Sequence, residues 1–362
     1  MKKLLIYPAL YENREILNYH WMIHDYEIVC AITIGEYNFE MKAGHQEYSN
    51  IKLSNDFDKE VVKCDSVLFL DGLEEEHIQM YCDRIHDVLV QGKEVLLTPE
   101  LNDVLLKHNQ RLDEIKILAP DSTLSEEELI EGTFNHSLKL IDIPIIGVMG
   151  LGNYCGKFSC ELELRKHFSD YNLLQFGSKN ISSLFGMHQL PKFIFNRKLT
   201  LKDRIVWLNN YLYKQCMEQQ PDLLIIGIPE AIVPINRKIL NNFGEIAFIT
   251  SQAVINFDVG ILCAYFHDNI NNNYLMEYRN CCKYKFNSVV DYFNISNTTF
   301  KFDDESDESR IEYMHLDRLF IDENFPMINE DTICTFSVEN KINLQNALGK
   351  INNGLISNPS VF

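Results

Sequence analysis

Four glycines, a lysine and a serine fall close together in Gly147-Val148-Met149-Gly150-Leu151-Gly152-Asn153-Tyr154-Cys155-Gly156-Lys157-Phe158-Ser159. Their spacing is that of phosphate chemistry. A glycine-rich turn lets backbone N–H groups converge on an anion. A helix opening at Gly156-Lys157 adds the partial positive charge of its N-terminus, and a lysine there reaches the outer phosphates. The expected ligand is a nucleotide, ATP or GTP, with Mg²⁺ beside it. The expected cradle is Gly150, Gly152, Asn153, Tyr154, Cys155, Gly156, Lys157, Phe158 and Ser159.

The loop departs from the standard phosphate loop in two ways. That loop has four residues between its glycines and a Ser or Thr directly after the lysine. Here five residues separate Gly150 from Gly156, and Phe158 follows Lys157. The hydroxyl that normally binds Mg²⁺ arrives one position later, at Ser159, which is assigned to the metal or to an inner phosphate. A tight strand-to-helix turn, with its glycines present only for packing, is the alternative.

A nucleotide hydrolase also needs an acid at the C-terminal end of a neighbouring strand to hold Mg²⁺, directly or through water. In Asp222-Leu223-Leu224-Ile225-Ile226-Gly227-Ile228-Pro229-Glu230, Asp222 stands at the wrong end of the strand and Glu230 just past the correct one. Lys157 and Glu230 are therefore the expected catalytic pair, and Ser159 and Glu230 the expected metal ligands. A helix-cap role is the competing reading for Glu230.

Other candidates carry weaker signals. The segment from Ser182 to Phe193, with Phe185, Gly186, His188 and Lys192, reads as a lid or partner-binding loop, or as a packed connection. Ser251-Gln252 could approach a base or phosphates. His20 and His24 have metal spacing on a helix but no third ligand nearby. Cys155, near a helix N-terminus and Lys157, is expected to have a lowered thiol pKa, although loop packing is the favoured role. The chain has ten cysteines and no C-x-x-C, so reduced, mostly buried thiols are expected and a structural zinc site is not.

The elements that must position these residues alternate along the chain. Strands are expected at Lys3–Tyr7, Tyr26–Thr33, Ser66–Leu70, Glu94–Leu97 and Ile115–Leu118, with helices at Glu12–His24, Asp56–Lys63, Glu74–Gln91 and Leu101–His108 between them. Such alternation predicts a parallel sheet flanked by helices. The turn after the first strand has no Gly-x-Gly-x-x-Gly, so no dinucleotide is expected there. Asp71-Gly72 ends its strand at the ligand-binding face of such a sheet, or is a plain turn. Pro120 to His136 reads as an acidic linker with a capping box at Ser125-x-x-Glu128. The second half repeats the pattern. After the phosphate-loop strand come strands at Asn172–Phe176, Asp222–Ile228, Glu245–Thr250 and Val259–Phe266, a long helix at Lys202–Gln219, and a helix at Asn287–Phe293. Thr298–Phe302 and Arg310–Leu316 read as a hairpin around an acidic turn at Asp303–Glu308. The expected fold is thus α/β: an N-terminal Rossmann-like domain over residues 1–138, then a P-loop nucleotide-binding α/β domain over 139–362 with a small C-terminal hairpin extension.

Composition narrows the partners. At 362 residues the chain suits two domains, and 46% hydrophobic content is ample for their cores. A net charge of -19 argues against nucleic acid and anionic membrane surfaces, whose phosphates would repel it. The opening Met1-Lys2-Lys3-Leu4-Leu5-Ile6-Tyr7-Pro8 is too short an apolar run for a signal peptide, and no apolar run approaches the ~20 residues of a membrane span. A cytoplasmic protein is expected, its oligomeric state open.

The stretches Gly150–Ser159, Gly177-Ser178-Lys179 and Leu184-Phe185-Gly186-Met187-His188, with the opening eight residues and Cys64-Asp65-Ser66-Val67-Leu68-Phe69, resemble a family of clostridial peptide maturation system proteins, encoded near radical SAM enzymes and small precursor peptides. The resemblance covers most of the chain. It implies a role in maturing a ribosomally synthesised peptide natural product, with a precursor peptide and a maturation enzyme as partners, and it supplies no established reaction. The loop alone is similar to that of the dethiobiotin-synthetase-like branch of P-loop proteins. Two functions follow: nucleotide turnover that assists peptide modification, or a non-catalytic anion-binding scaffold that recruits precursor peptide or maturase. A metal-delivery GTPase fits less well, because clustered Cys/His ligands and an Asn-Lys-x-Asp motif are missing.

Overall fold

The computed structural model describes residues 1–34, 51–72, 77–108, 115–118, 137–303, 310–330 and 332–357. The expected acidic linker, with its capping box, and most of the acidic hairpin turn lie outside these residues. The chain forms two compact units. The first comprises Met1–Asp121 together with Asn180–Gln189; the second comprises Ser122–Lys179 and Leu190–Phe362.

In the first unit, short apolar runs form β1 (Lys2–Tyr7), β2 (Tyr26–Ile32), β3 (Lys52–Ser54), β4 (Ser66–Phe69), β5 (Glu94–Leu97) and β6 (Ile115–Ile117). Every pairing between neighbours is parallel, in the order β3-β2-β1-β4-β5-β6. This is the Rossmann strand order, which reverses direction between β1 and β4. The central strands are buried along most of their length, as expected of strands covered on both faces. The helices Ile78–Val90 and Pro99–Lys107 match their expected positions. The helix expected over Glu12–His24 does not form as one piece. It is a 3₁₀ turn at Tyr11–Asn13, one α-turn at Glu15–Asn18 and a second 3₁₀ turn at His20–Met22.

The remaining strands are β7 (Ile145–Gly150), β8 (Leu173–Gly177), β9 (His188–Gln189), β10 (Leu223–Gly227), β11 (Val259–Ala264), β12 (Val290–Ile295), β13 (Thr298–Asp303), β14 (Arg310–His315), β15 (Asn329–Glu330) and β16 (Ile333–Phe336). In the second unit the sheet order is β15-β16-β12-β11-β7-β10-β8. All pairings from β16 to β8 are parallel, and β15 is antiparallel to β16. The strand that leads into the glycine loop is therefore central. Every residue of β7, β10 and β11 is buried, which explains their near-continuous apolar sequences. β13 and β14 form the expected antiparallel hairpin.

Two elements of this unit differ from expectation. Glu245–Ala253 is a helix, not a strand. Its apolar residues are buried on most sides, so the run of Ile246, Phe248 and Ile249 carries no period that separates strand from helix. Val290–Ile295 is a strand where a helix was expected. The preceding helix Asn272–Phe286 ends in Asn287 at φ 53°, a left-handed cap, and the β-branched and aromatic residues after it continue the sheet. The 17-residue helix Lys341–Ser357 then closes the described chain.

Candidate functional site

The glycine loop leaves the C-terminal end of β7 and enters the helix Lys157–His167. Gly156, at φ +79°, makes the turn into the helix in a conformation that costs other residues strain. The first helical bond in that turn runs from Cys160 N–H to Gly156 O at 3.1 Å. The N–H groups before it have no intrahelical carbonyl to reach, which leaves the helix end suited to an anion.

Lys157 folds back across the loop. A Cβ at Gly150 would lie 2.5 Å from its Cδ and 2.6 Å from Cys155 Sγ. The Lys157 ammonium donates to the backbone carbonyl of Glu230, so lysine, loop and the end of β10 converge. Tyr265 Oη donates to Asn153 O at 2.5 Å and fills the space over Gly152. Tyr154, at φ 58°, packs against Tyr313 of the hairpin with ring centroids 4.7 Å apart and the rings tilted by 55°. Asn294, from β12, donates to Gly156 O at 3.3 Å and accepts from Val338 N–H at 3.2 Å. The loop is thus held by side chains from the residue just after β11, from β12 and from the hairpin.

Cys155 corrects one expectation. Burial pushes its thiol up to about 11, outweighing the Lys157 charge that lowers it, and its Sγ donates to Gly152 O at 3.0 Å. It packs the loop. Phe158 is buried at 1% exposure, with the Lys179 ammonium 5.8 Å from its ring centroid. Ser159, at 5% exposure, lies in the first helical turn.

Glu230 follows β10 as expected, at φ 62°. Its carbonyl meets Lys157, while both carboxylate oxygens accept from Asn242 Nδ2 at 3.2 Å. Asp222, at the other end of the strand, accepts from Asn172 N–H at 2.8 Å.

The residue that sequence reasoning missed is Glu161, one helical turn after Lys157. It is fully buried. One carboxylate oxygen accepts from Ser178 N–H at 2.9 Å, and the other, Oε1, is buried with no hydrogen-bond partner. Its carboxyl group lies over Gly227, the last residue of β10; a Cβ there would fall within 2.6 Å of all three carboxyl atoms. Burial pushes Glu161 up to about 7, against the opposing pull of the Ser178 hydrogen bonds and the charges of Lys157 and Lys179. In the sequence it stands in the amphipathic run Glu161-Leu162-Glu163-Leu164, which carries no sign of its burial.

The weaker candidates separate from this site. The expected lid belongs to the first unit as Asn180–Gln189. Leu184, Phe185 and Met187 are buried there, and Asn180 Nδ2 donates to Asp71 Oδ1 at 3.0 Å and Glu100 Oε2 at 2.7 Å. The packed-connection alternative describes it. His20 Nδ1 bonds Leu17 O at 2.9 Å, and among the described residues no group of three or more His, Cys, Asp and Glu is placed to hold a metal ion. Ser251 Oγ donates to Phe248 O at 3.1 Å within its own helix. All ten cysteines are free thiols. Among the described residues no helix is long and apolar enough to cross a membrane.

The fold and the loop define an α/β chain of two parallel-sheet units, the second with a strand–glycine loop–helix at its centre. Among solved structures it is similar to a DUF1611 family protein from Anabaena variabilis, with a TM-score of 0.60 at 12% identity over 99% of this chain and 100% of that one. That likeness establishes the shared fold. Weaker similarities, too low in TM-score to carry an argument, are to a pseudomurein peptide ligase type C from Methanothermus fervidus (TM-score 0.22, 12% identity, 83% of this chain and 50% of that one) and to FtsY from Mycoplasma mycoides (TM-score 0.27, 14% identity, 66% and 79%). No family model and no curated protein matches the chain.

Proposed function

We propose that this chain binds ATP or GTP through the loop Gly150–Ser159, and that nucleotide turnover assists the maturation of a ribosomally synthesised peptide. The observation that carries the nucleotide reading is the convergence of Lys157, the helix N-terminus and the end of β10 at the centre of a parallel sheet. The glycines leave no Cβ in the space that Lys157 and Tyr265 occupy around the loop, and peptide N–H groups at the helix N-terminus together with the lysine supply the charge complement of a phosphate chain. Magnesium fits this donor set. Such a site offers one or two protein oxygens and leaves the remaining positions to phosphates and water, and Ser159 stands in the first helical turn for that purpose. When bound, the ion would neutralise charge on the outer phosphates. The chain's own residues bind and orient: the loop backbone holds the phosphates, Lys157 bridges them to the end of β10, and the aromatic hairpin holds the loop.

The peptide-maturation part rests on the resemblance to clostridial maturation components, with a precursor peptide and a radical SAM maturase as partners. A second reading, a scaffold that binds an anion without turnover, draws support from buried Phe158 at the position of the usual metal-binding hydroxyl. Phosphate release from ATP and GTP, measured alone and with precursor peptide and maturase, separates the two. Turnover stimulated by the peptide supports the first. Binding of nucleotide displaced by inorganic tripolyphosphate, without turnover, supports the scaffold.

A further inference from the structure

The end of β10 lacks the acid that nucleotide hydrolysis needs beside its phosphate loop. Gly227 stands there, and the Glu161 carboxyl group occupies the volume that a side chain at 227 would fill. A carboxyl group from the helix thus stands at the end of this strand. It is one turn after Lys157, on the same helix face at i, i+4, and its buried Oε1 has no hydrogen-bond partner. A buried oxygen in that condition is costly unless something pairs with it.

We propose that Glu161, and not Glu230, is the acidic residue that holds the divalent cation of a bound nucleotide, taking the place of the missing strand acid through the gap at Gly227. This rests on the nucleotide-binding reading above. Two further observations agree. The Glu230 carboxylate is already engaged by Asn242 Nδ2 on both oxygens. Ser178 N–H fixes one Glu161 oxygen and leaves the other available. A single carboxylate suffices, because phosphate oxygens and water complete magnesium's shell.

The swap between positions 161 and 227 gives the test. Mn²⁺ is titrated into wild type, Glu161→Gln, Glu230→Gln, and the double variant Glu161→Ala with Gly227→Asp, each with and without ATP or GTP, and bound metal is read by electron paramagnetic resonance. Nucleotide affinity in EDTA is measured in parallel. We expect Glu161→Gln to lose at least tenfold in nucleotide-dependent Mn²⁺ affinity while its affinity for metal-free nucleotide is kept. Glu230→Gln should bind Mn²⁺ as wild type does. The double variant should regain Mn²⁺, since removing the long side chain makes room for an acid on the strand. Full Mn²⁺ binding in Glu161→Gln, or its loss in Glu230→Gln, overturns the assignment while leaving nucleotide binding intact. No nucleotide binding in EDTA by any variant overturns the nucleotide reading and this inference with it.

Discussion

Replacing Glu161 by glutamine should make the nucleotide-free protein more stable at alkaline pH, contrary to the usual effect of changing a buried residue. The carboxyl is pushed from its ordinary 4.5 up to about 7 by burial. A raised carboxylate favours the protonated form in the fold, so its contribution to stability is fully present below about pH 4.5 and is lost as pH rises through about 7. The gap of about 2.5 pH units corresponds to roughly 3 kcal/mol at ~1.36 kcal/mol per unit. Glutamine is neutral throughout, keeps the shape, and accepts the Ser178 N–H bond. At pH 8.5 in EDTA, Glu161→Gln should therefore exceed wild type by about 2–3 kcal/mol, and at pH 5 the two should nearly coincide. Urea unfolding followed by Trp207 fluorescence, in a Trp21→Phe background, reports on the second unit. Parallel pH profiles for wild type and variant would refute the claim that a buried ionised carboxylate is being paid for there. Added Mg²⁺ and nucleotide should reverse the order, since a bound cation stabilises only the carboxylate.

Four further outcomes are expected. Gly150→Ala places a methyl 2.5 Å from Lys157 Cδ, so it should cost about 1–3 kcal/mol in thermal or urea unfolding and weaken nucleotide binding at least tenfold. Tyr265→Phe removes the 2.5 Å bond to Asn153 O and should cost about 1 kcal/mol, with a smaller loss of nucleotide affinity seen by calorimetry. Cys155, held near 11 and 1% exposed, should resist alkylation in the native protein at pH 8, and mass spectrometry should find it labelled only after unfolding. Glu245→Ala leaves Arg204, 4% exposed, without its 2.6 Å partner and should lower stability by about 2–4 kcal/mol, measured by urea titration.

The glycine loop was legible because its chemistry is local. Gly150, Gly156 and Lys157 need fixed spacing, and buried β7 before them reads as an uninterrupted apolar run. Most of the first sheet, and strands β7, β8, β10 and β11 of the second, were legible from the alternation of short apolar runs with amphipathic ones. Glu161 was not, because it sits in Glu161-Leu162-Glu163-Leu164 as an ordinary helical charge, and its burial depends on β8 and β10 packing around it. The trace it leaves in the sequence is indirect: Gly227, not an acid, ends the strand, and Glu230 lies three residues beyond it. Glu245–Ala253 was misread because a helix buried on most sides loses its period. Val290–Ile295 could have been read correctly, since Val289, Val290, Tyr292 and Phe293 favour a strand and Asn287 favours a helix end. The late strand β16 and the helix after it went unread, because they extend a sheet whose edge sequence reading cannot locate.

Calorimetric titration of ATP and of GTP, with and without Mg²⁺, into wild type and Lys157→Ala tests the central claim most directly. The account predicts binding of at least one nucleotide by wild type and a loss of at least tenfold in the variant, whose thermal unfolding is otherwise unchanged. Equal binding by both proteins, or binding by neither, would contradict a phosphate-binding role for the loop.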